Sequence, residues 1–547
     1  MCGIFGVLNN NGLYANNHIK KYFMRGQNRG PEYSTLEHLN TFTTFGFHRL
    51  AINGLNPESH QPLIYKNIAL ICNGEIYNYK QLYAQTGMTA NTDSDCEIII
   101  HMYRKYGIEY TLNQLDGVFA FALYDGNKLF LARDPYGVRP MFTLEPLHSN
   151  AGSVEAFAST MSSLHGISHV LGIKEKVEQF TPGSYREYIC DNRIWKRKGQ
   201  TKYTFPGLPV GMPETNEDNA LVMIHDSLTN AVKKRVDTTD RPIACLLSGG
   251  LDSSLITSLV SQFYTGTLET YSIGLPGSED LKYAKRVADH LGTKHTQIEL
   301  SEKDFFDVIP EVIKTIESYD TTSVRASVGN YLIGRYIKDH SQAKVIFNGD
   351  GSDELTGGYM YFHCAPDAQV FDAECKRLLT NIHQFDVLRS DRCISSHGLE
   401  PRTPFLDRGF VQDYLSISPM LRYHPGNKQC EKYLLRKAFD HSNNYLPKEV
   451  LWRQKEAFSD GVSSKDRSWY TIIDEFIMLK HEKLYDIMPQ CDHNTPTTRE
   501  QVFYRMIFNK YYEGQDHVIP YFWMPQFVKG ATDSSARTLD VYKVNQK

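Results

Sequence analysis

Two different patterns of hydrophobic residues divide this 547-residue chain near residue 205. Before that point, short apolar or alternating runs end at turn residues, as at 4–8 and 118–124. Such runs predict antiparallel strands, and the helical pattern at 96–106 adds an α+β character. After the Gly- and Pro-containing polar segment 199–218, short apolar strands alternate with helices. That alternation indicates an α/β fold with a mostly parallel sheet.

The length of the chain also argues for more than one domain, because a single hydrophobic core rarely grows this large. We predict a first domain over 2–205, a second domain over 206–530 and a polar tail over 531–547. The change of pattern near 205 sets the first boundary.

Composition excludes several classes of partner. The 59 basic and 63 acidic residues give a net charge of -4, which does not support binding to nucleic acid or to an anionic membrane. No window reaches the ~18 apolar residues of a membrane-spanning helix, and the first residues do not resemble a signal peptide. The 10 cysteines are scattered without a CxxC pair, which is typical of a reduced intracellular protein. We therefore expect a cytoplasmic protein with neither membrane nor nucleic-acid partners.

Cys2 is a candidate nucleophile because it directly follows the initiator methionine. Removal of Met1 would leave a cysteine with its own α-amino group, whose reference pKa of ~7.7–8.0 keeps it partly neutral near pH 7. That amine can act as the general base for the thiol, which would then attack an amide carbonyl. The alternative is a small apolar residue that starts a strand.

Other residues of the first half suit the recognition of an amide-bearing amino acid. Arg49 can grip a carboxylate through two hydrogen bonds, and Asp95 can hold an ammonium group. The Asn73 side chain and the Gly74 backbone can form an oxyanion hole. The alternatives are a surface arginine, a hairpin turn at Asn73 and Gly74, and a helix N-cap at Asp95.

The second half carries a glycine- and serine-rich loop between a predicted strand and a predicted helix. Its glycines allow a tight turn, and the helix start offers free N–H groups to an anion. The loop predicts a phosphate site, although no GxxxxGK[ST] motif occurs in the chain. The alternative is a serine-rich turn. The residues are Ser248, Gly249, Gly250, Leu251, Asp252, Ser253 and Ser254.

An acidic cluster follows the next predicted strand, at residues 348–354. Because ligands of α/β sheets bind at the carboxyl ends of strands, Asp350 and Asp353 are candidates for substrate or metal contacts. A solvated acidic turn is the alternative. Lys455 is a further candidate, since it lies among aromatic residues and glycine instead of in a typical polar surface run.

Ordered motifs relate the first half to a known family. The chain reads CGIFGV at Cys2, RGP at Arg29, HRLAI at His48, NGEIYN at Asn73, SDCE at Ser94, DGVFAFALYD at Asp116 and RDPYGVRPMF at Arg133. This series resembles the class II glutamine amidotransferase domain, an N-terminal-nucleophile hydrolase with sandwiched antiparallel sheets. The resemblance implies Cys2 as nucleophile and Arg49, Asn73, Gly74, Glu75 and Asp95 as glutamine-binding residues. Glu32 and Thr160 depart from the family pattern, and these changes concern secondary contacts and not the nucleophile.

The second half has a resemblance of its own. SGGLDSS resembles the pyrophosphate-binding loop of the ATP pyrophosphatase superfamily. SIGLPGS at Ser272, IESYDTTSVRAS at Ile316, GDGSDELTGGYMYFH at Gly349, HGLEPRTPFLD at His397, EKYLLRKAF at Glu431 and WRQKEAFSDGV at Trp452 resemble the asparagine synthetase B family. The resemblance implies the substrates glutamine, aspartate and ATP, a β-aspartyl-AMP intermediate, release of AMP and pyrophosphate, a shielded channel for ammonia and a homodimer.

The same resemblance implies the cofactors ATP and Mg²⁺ and assigns roles to residues. Asp252 and Asp353 would bind Mg²⁺, and Lys455 would hold the β and γ phosphates. The implied ATP-binding residues are Leu247, Ser248, Gly249, Gly250, Asp252, Ser253, Ser254, Ile273, Gly274, Asn348, Gly349 and Lys455.

One departure concerns catalysis itself. Asp350 stands where the family has a glutamate that is thought to assist attack by ammonia, and its carboxylate is one methylene nearer the backbone. We expect the local backbone to compensate. The alternatives are a related adenylating amidotransferase acting on another carboxylate, a glutaminase alone, and a non-catalytic scaffold.

Overall fold

The structure is a computed structural model, and it describes residues 1–146, 152–169, 175–204, 213–441, 444–456, 458–464, 467–480, 491–528, 530–531 and 533–539. The predicted first domain boundary and the last part of the predicted tail lie outside these residues. Within them, no helix is both long enough and apolar enough to cross a membrane.

The first domain contains two antiparallel sheets. Its strands are β1 (Gly3–Leu8), β2 (Tyr33–Asn40), β3 (Thr43–Arg49), β4 (Leu63–Tyr65), β5 (Ile68–Ile76), β6 (Gly117–Asp125), β7 (Lys128–Arg133), β8 (Phe142–Pro146), β9 (Glu155–Ala158), β10 (Glu175–Gln179), β11 (Ser184–Asp191) and β12 (Ile194–Lys202). The strand order is β10-β8-β9-β1-β3-β2 in one sheet and β12-β11-β7-β6-β5-β4 in the other.

The two sheets pack face to face over a shared apolar layer. Ile4 of β1 and Phe47 of β3 lie in one buried cluster with Ile71 of β5 and Ala122 of β6. The outer face of the second sheet is covered by α2 (Tyr79–Thr86), α3 (Ile98–Tyr106) and α4 (Ile108–Gln114), while α1 (Asn16–Phe23) packs on the first sheet. The predicted α+β sandwich is confirmed.

The alternative of a hairpin turn at Asn73 and Gly74 is wrong. Both residues lie inside β5, where Asn73 pairs with Ala120 and Gly74 pairs with Phe119 of β6. A Cβ atom on Gly74 would lie 2.6 Å from the carbonyl oxygen of Val118. Glycine is therefore required here by the close approach of two strands.

The second domain is built on a parallel sheet. Its strands are β13 (Ile243–Leu246), β14 (Glu269–Gly274), β15 (Lys294–Glu299), β16 (Val345–Phe347) and β17 (Glu400–Arg402), in the order β15-β14-β13-β16-β17. Every pairing in this sheet is parallel, which confirms the predicted fold class. The chain adds strands first on one side of β13 and then on the other, so a crevice opens at the carboxyl ends of β13 and β16.

Helices cover both faces of this sheet. They are α5 (Glu217–Asp237), α6 (Leu251–Phe263), α7 (Glu279–Leu291), α8 (Glu302–Asp307), α9 (Ile309–Ile316), α10 (Thr321–His340), α11 (Ser352–Thr356), α12 (Ala368–Asn381), α13 (Asp386–Ser395), α14 (Arg408–Ser416), α15 (Pro419–Arg422), α16 (Tyr433–Ala438), α17 (Lys448–Leu451), α18 (Phe458–Gly461), α19 (Trp469–Lys480) and α20 (Arg499–Tyr512). Side-chain caps fix several starts; Asp320, for example, accepts a hydrogen bond from the Ser323 backbone at 2.8 Å.

Two apolar clusters cross from one domain to the other. Val7 of β1 shares a buried cluster with Ile313 of α9 and Val328 of α10. On the other face of the parallel sheet, Leu50 shares a second cluster with Leu255 of α6. Because the domains share buried side chains, the two candidate sites are held in one packed structure.

Candidate active site

Cys2 lies half-buried just before β1, and its Sγ donates to the Leu50 carbonyl oxygen at 3.5 Å. Burial raises the pKa of the Cys2 thiol, so the thiol needs a base to become a nucleophile. The α-amino group of Met1 is buried beside it, and burial lowers the pKa of that amine to about 6. An amine in this environment is mostly uncharged at pH 7 and can accept a proton.

The alternative of a surface arginine at Arg49 is wrong. Arg49 is buried, and its guanidinium donates to the carbonyl oxygens of Asn56, at 3.0 Å, and of Gly54. Its positive charge also favours the ionised form of the Cys2 thiol. The loop after β3 therefore places a fixed cation beside the candidate nucleophile.

In the first domain, the unsatisfied side chain of Asn73 indicates a ligand-binding position. Its side chain is fully buried, and neither its amide nitrogen nor its oxygen has a hydrogen-bond partner among the described residues. A buried donor without a partner costs about 1–3 kcal/mol, so such a group persists where a ligand satisfies it. The position suits an oxyanion hole.

Two carboxylates complete the first site. Asp95 accepts a hydrogen bond from the Ile76 backbone at 2.6 Å, so it ties a short helical turn to β5, and the N-cap alternative is wrong because Ser94 holds that position. Burial raises the pKa of Asp95 to about 6. Glu75 accepts from Asn53 Nδ2 at 2.5 Å, and burial raises the pKa of its carboxyl well above the ordinary value.

The second site is the crevice at the carboxyl ends of β13 and β16. Ser248 Oγ lies 2.9 Å from Ser253 Oγ, and the Ser248 backbone N–H donates to Ser253 Oγ at 3.2 Å, which closes the predicted loop around the start of α6. Gly249 has φ +75°, and a Cβ there would lie 2.4 Å from the Ala284 nitrogen. Only glycine fits that turn.

Most of the predicted nucleotide contacts line one cavity. The cavity is bordered by Leu247, Ser248, Gly250, Asp252, Ser253, Ile273, Asn348, Gly349, Asp350, Asp353 and Lys455. Gly249, Ser254 and Gly274 do not line it, and their roles as ATP contacts stay predictions. At Gly274 a Cβ would lie 2.8 Å from Ser278 Cβ, which gives this glycine a packing reason of its own.

Inside the cavity, two carboxylates face two ammonium groups. Lys455 Nζ lies 2.5 Å from Asp353 Oδ2 and 3.6 Å from Asp252 Oδ2. Lys432 Nζ lies 2.6 Å from Asp353 Oδ1 and within 2.7 Å of both Asp252 oxygens. Although burial opposes it, the two lysines hold the pKa of Asp353 well below its ordinary value.

Lys432 was missed by the sequence reasoning. It lies in the EKYLLRKAF motif, but its spacing from the other site residues gives no sign of contact with Asp252 or Asp353. Its backbone has φ +59°, which is uncommon for a residue with a side chain, and its side chain is only 1% exposed. Such a strained and buried lysine is typical of a functional site.

The donor set suits Mg²⁺ that arrives together with phosphate. Asp252 and Asp353 supply hard carboxylate oxygens at one point, and Ser352 Oγ lies 2.9 Å from Asp252 Oδ1. The described residues contain no group of three or more His, Cys, Asp or Glu able to hold a metal alone. Mg²⁺ sites of nucleotide-dependent enzymes commonly use one or two carboxylates and complete the shell with phosphate and water.

Asp350 points one oxygen at Arg389 and leaves the other unused. Arg389 Nη2 donates to Asp350 Oδ1 at 3.3 Å, whereas Asp350 Oδ2 is buried without a partner among the described residues. Burial raises the pKa of Asp350 to about 6. The carboxylate is thus mostly ionised at pH 7 and available to a ligand.

Helix α13 forms a common wall between the two sites. Arg29 donates from Nε to the Cys2 carbonyl oxygen at 3.1 Å and from Nη1 to Asp391 Oδ2 at 2.8 Å. One residue earlier on the helix, Ser390 Oγ accepts from Asn348 Nδ2 at 2.8 Å, and Asn348 lines the cavity of the second domain. Consecutive residues of α13 therefore contact both sites, and the sequence motif at Arg29 gave no hint of this partner.

Comparison with known proteins gives a consistent result. A family model described as asparagine synthase matches residues 223–373 and 364–518, and one described as a glutamine amidotransferase domain matches residues 1–190. The chain is 41% identical to an asparagine synthetase [glutamine-hydrolyzing] of Gallus gallus, over 99% of both chains. It is 40% identical to those of Homo sapiens, over 99% of both chains, and of Bos taurus, over 100% of both.

The Lys432 cluster generates a stability prediction. Replacing Lys432 with methionine keeps a long unbranched side chain but leaves Asp252 and Asp353 with less compensating charge. Removing one partner of a buried ion pair typically costs about 3–5 kcal/mol, so we expect a lower Tm in nucleotide-free protein. Mg²⁺ alone should then raise the Tm of Lys432→Met more than that of the wild type.

Lys437→Met is the matched control, because Lys437 lies on α16, which begins directly after Lys432, but is 42% exposed and pairs with Glu217 at the surface. Thermal unfolding of the three proteins, with and without Mg²⁺, gives the comparison. An unchanged Tm for Lys432→Met would show that its ammonium group does not hold the two carboxylates together.

Proposed function

The chain belongs to the family of glutamine-hydrolysing asparagine synthetases, and from that premise we propose roles for the residues of its two sites. It makes asparagine from aspartate in an ATP-dependent reaction whose nitrogen comes from glutamine. One observation supports the assignment of glutamine hydrolysis to the first site and of asparagine formation to the second: both sites contact α13. A related enzyme acting on a different carboxylate finds no support in these full-length matches.

Cys2 performs the first half of the reaction. After removal of Met1, the Cys2 amine takes the thiol proton, and the sulfur attacks the side-chain amide carbon of glutamine. Asn73 Nδ2 donates to the developing oxyanion, which gives this buried amide its missing partner. As the carbon–nitrogen bond breaks, the amine returns the proton to the leaving nitrogen, and ammonia departs. Water then cleaves the thioester to release glutamate.

Charged groups around Cys2 select glutamine. Arg49 binds the α-carboxylate, because its guanidinium is a buried cation held by the loop after β3. Asp95 binds the α-ammonium group, and Glu75 and Gly74 line the same pocket. An amino acid without both charges would leave a buried charge without a partner, which is the basis of the selectivity.

The cavity of the second domain activates aspartate. The loop at 248–254 and the start of α6 hold the phosphates of ATP, and Lys455 neutralises the β and γ phosphates. Asp252 and Asp353 would hold Mg²⁺, which supplies positive charge to the leaving pyrophosphate. The β-carboxylate of aspartate attacks the α-phosphorus, the bond between the α and β phosphates breaks, and β-aspartyl-AMP forms with release of pyrophosphate.

Asp350 assists the last step. Ammonia attacks the β-carbonyl carbon of the adenylate, a carbon–nitrogen bond forms, and AMP leaves. Asp350 Oδ2 accepts a proton from the attacking nitrogen, since it is ionised above about pH 6 and has no other partner among the described residues. Compensation for the shorter side chain stays a prediction, and so does the family-based homodimer. The cytoplasm remains the location that we propose.

Ammonia has to travel between the sites without contact with bulk water, where most of it would become an unreactive ammonium ion. The shared wall at α13 supports a buried route along this helix. Arg139 is fully buried there and lies 3.6 Å from both Asp391 Oδ1 and Glu400 Oε2. We propose that these side chains border the route.

Replacement of Cys2 by alanine tests the assignment of the first site. Cys2→Ala should lose glutamine-dependent asparagine synthesis by at least about a thousandfold, because the nucleophile is gone. Ammonia-dependent synthesis should stay within about twofold of the wild type, since the nucleotide cavity is untouched. Asparagine and pyrophosphate are measured with each nitrogen source. Loss of both activities would mean that Cys2 acts on the second domain as well.

The raised pKa of Asp95 predicts a pH dependence of glutamine binding. Asp95 holds an ammonium group only when it is ionised, so binding should be lost as pH falls through about 6. In Cys2→Ala, which binds without turnover, the Kd for glutamine should rise about tenfold for each pH unit below 6. Isothermal titration calorimetry between pH 5 and 8 measures this. In Asp95→Asn the Kd should be higher and nearly independent of pH; a pH slope that survives this substitution would remove Asp95 from the site.

A further inference from the structure

The C-terminal segment 533–539 lies against the loop that carries Lys455, whose described residues are 452–456 and 458–464. We propose that this segment, the C-terminal clasp, positions Lys455 over the nucleotide phosphates. Asp533, Ser535 and Arg537 are its positioning residues, because they make its polar contacts and none of them lines the nucleotide cavity. The inference rests on the proposed role of Lys455 in holding the β and γ phosphates.

One end of the clasp is fixed by charge. Arg325 of α10 donates from Nη1 to Asp533 Oδ1 at 2.8 Å and from Nη2 to Asp533 Oδ2 at 2.7 Å. The same guanidinium donates from Nε to Glu500 Oε1 at 2.9 Å. Arg325 is 5% exposed and Asp533 22% exposed, so the pair is largely shielded from solvent. Paired hydrogen bonds of this kind fix direction as well as distance.

The other end is fixed by apolar contact. Leu539 is buried in a cluster with Tyr361, Phe362 and Trp523, and Ala536 packs against the same cluster. A short helical turn at Ala536–Thr538 joins the two ends, and Ser535 caps this turn by accepting from the Arg537 backbone. The clasp is therefore held on both sides of the residues that reach the loop.

Two polar side chains of the clasp grip the loop. Ser535 Oγ donates to Asp460 Oδ1 at 2.7 Å, and Arg537 Nη1 donates to the Ser464 carbonyl oxygen at 2.7 Å. Arg537 Nε also lies 3.6 Å from Glu456 Oε2. Glu456 follows Lys455 directly and lines the cavity, so the clasp contacts the residue that comes directly after Lys455.

The opposite side of the loop contacts the predicted phosphate loop and Glu431. Arg453 donates to the Gly249 carbonyl oxygen at 2.9 Å, and the Lys455 backbone N–H donates to Glu431 Oε1 at 3.1 Å. Among the described residues of the loop, regular structure is limited to the short helix α18, which cannot fix the loop by itself. The loop is thus held between the phosphate loop and the clasp. Loss of the clasp should let Lys455 move away from the position in which it would bind the phosphates, so we expect weaker binding of ATP.

The test uses full-length protein and ammonia-dependent synthesis, so that glutamine hydrolysis does not enter the measurement. Arg537→Gln removes the charge, and we expect the KM for ATP to rise about tenfold while kcat falls less than about threefold. Arg537→Lys keeps the positive charge and should raise the KM for ATP less than Arg537→Gln does. Asp533→Asn and Ser535→Ala, which alter separate contacts, should each raise the KM for ATP by about threefold or more.

Controls separate positioning from loss of folding. Ser534→Ala lies in the same segment and should keep the wild-type KM for ATP. Glutaminase activity without ATP should stay within about twofold of the wild type in every clasp variant, because the first site is untouched. An unchanged KM for ATP in Arg537→Gln, Asp533→Asn and Ser535→Ala would overturn the proposal, and so would an equal loss of both activities in all three.

Lys455→Ala is measured in parallel to distinguish the two inferences. If Lys455→Ala keeps the wild-type KM for ATP, the proposed role of Lys455 is wrong. If Lys455→Ala loses ATP use but the clasp variants do not, only the clasp proposal is overturned.

Discussion

The buried ion pair between Arg29 and Asp391 fixes one active site against the other. Arg29 is 4% exposed and Asp391 3% exposed, and the same arginine donates to the Cys2 carbonyl oxygen. The free-energy cost of moving two charges out of water largely cancels their electrostatic attraction, so such a pair contributes little to the free energy of unfolding. The pair instead fixes the position of the nucleophile relative to α13. Ser390, which precedes Asp391 on this helix, accepts a hydrogen bond from Asn348 in the nucleotide cavity.

Burial then divides the carboxylates of the two sites into different roles. Burial raises the pKa of Asp95 and of Asp350 to about 6, so each carboxyl group titrates near neutral pH. Asp353 is held ionised by Lys432 and Lys455, which suits its proposed role as a metal ligand. In the proposed roles, carboxylates of the same chemistry would serve substrate binding, proton transfer and metal binding because their surroundings differ.

Much of this organisation could be predicted from the sequence, because it rests on local patterns. Alternating apolar runs predicted the antiparallel sheets. The succession of a strand, a glycine-rich loop and a helix at 243–263 predicted the phosphate loop. Asn73 and Gly74 show the limit, since a dipeptide that favours turns lies in β5 where a neighbouring strand requires glycine. Lys432 and the Asp391 partner of Arg29 were missed because both contacts join residues far apart in the chain. Tertiary packing, not local preference, creates them.

The proposed mechanism requires ammonia to pass from Cys2 to the aspartyl adenylate inside the protein, along the wall formed by α13. The most direct measurement supplies glutamine labelled with ¹⁵N in the amide together with a large excess of unlabelled ammonium, and determines the label in the asparagine formed. We expect nearly all asparagine made at saturating glutamine to carry ¹⁵N. Label diluted to the ratio of the bulk ammonium pool would contradict it, because the nitrogen would then have passed through solvent.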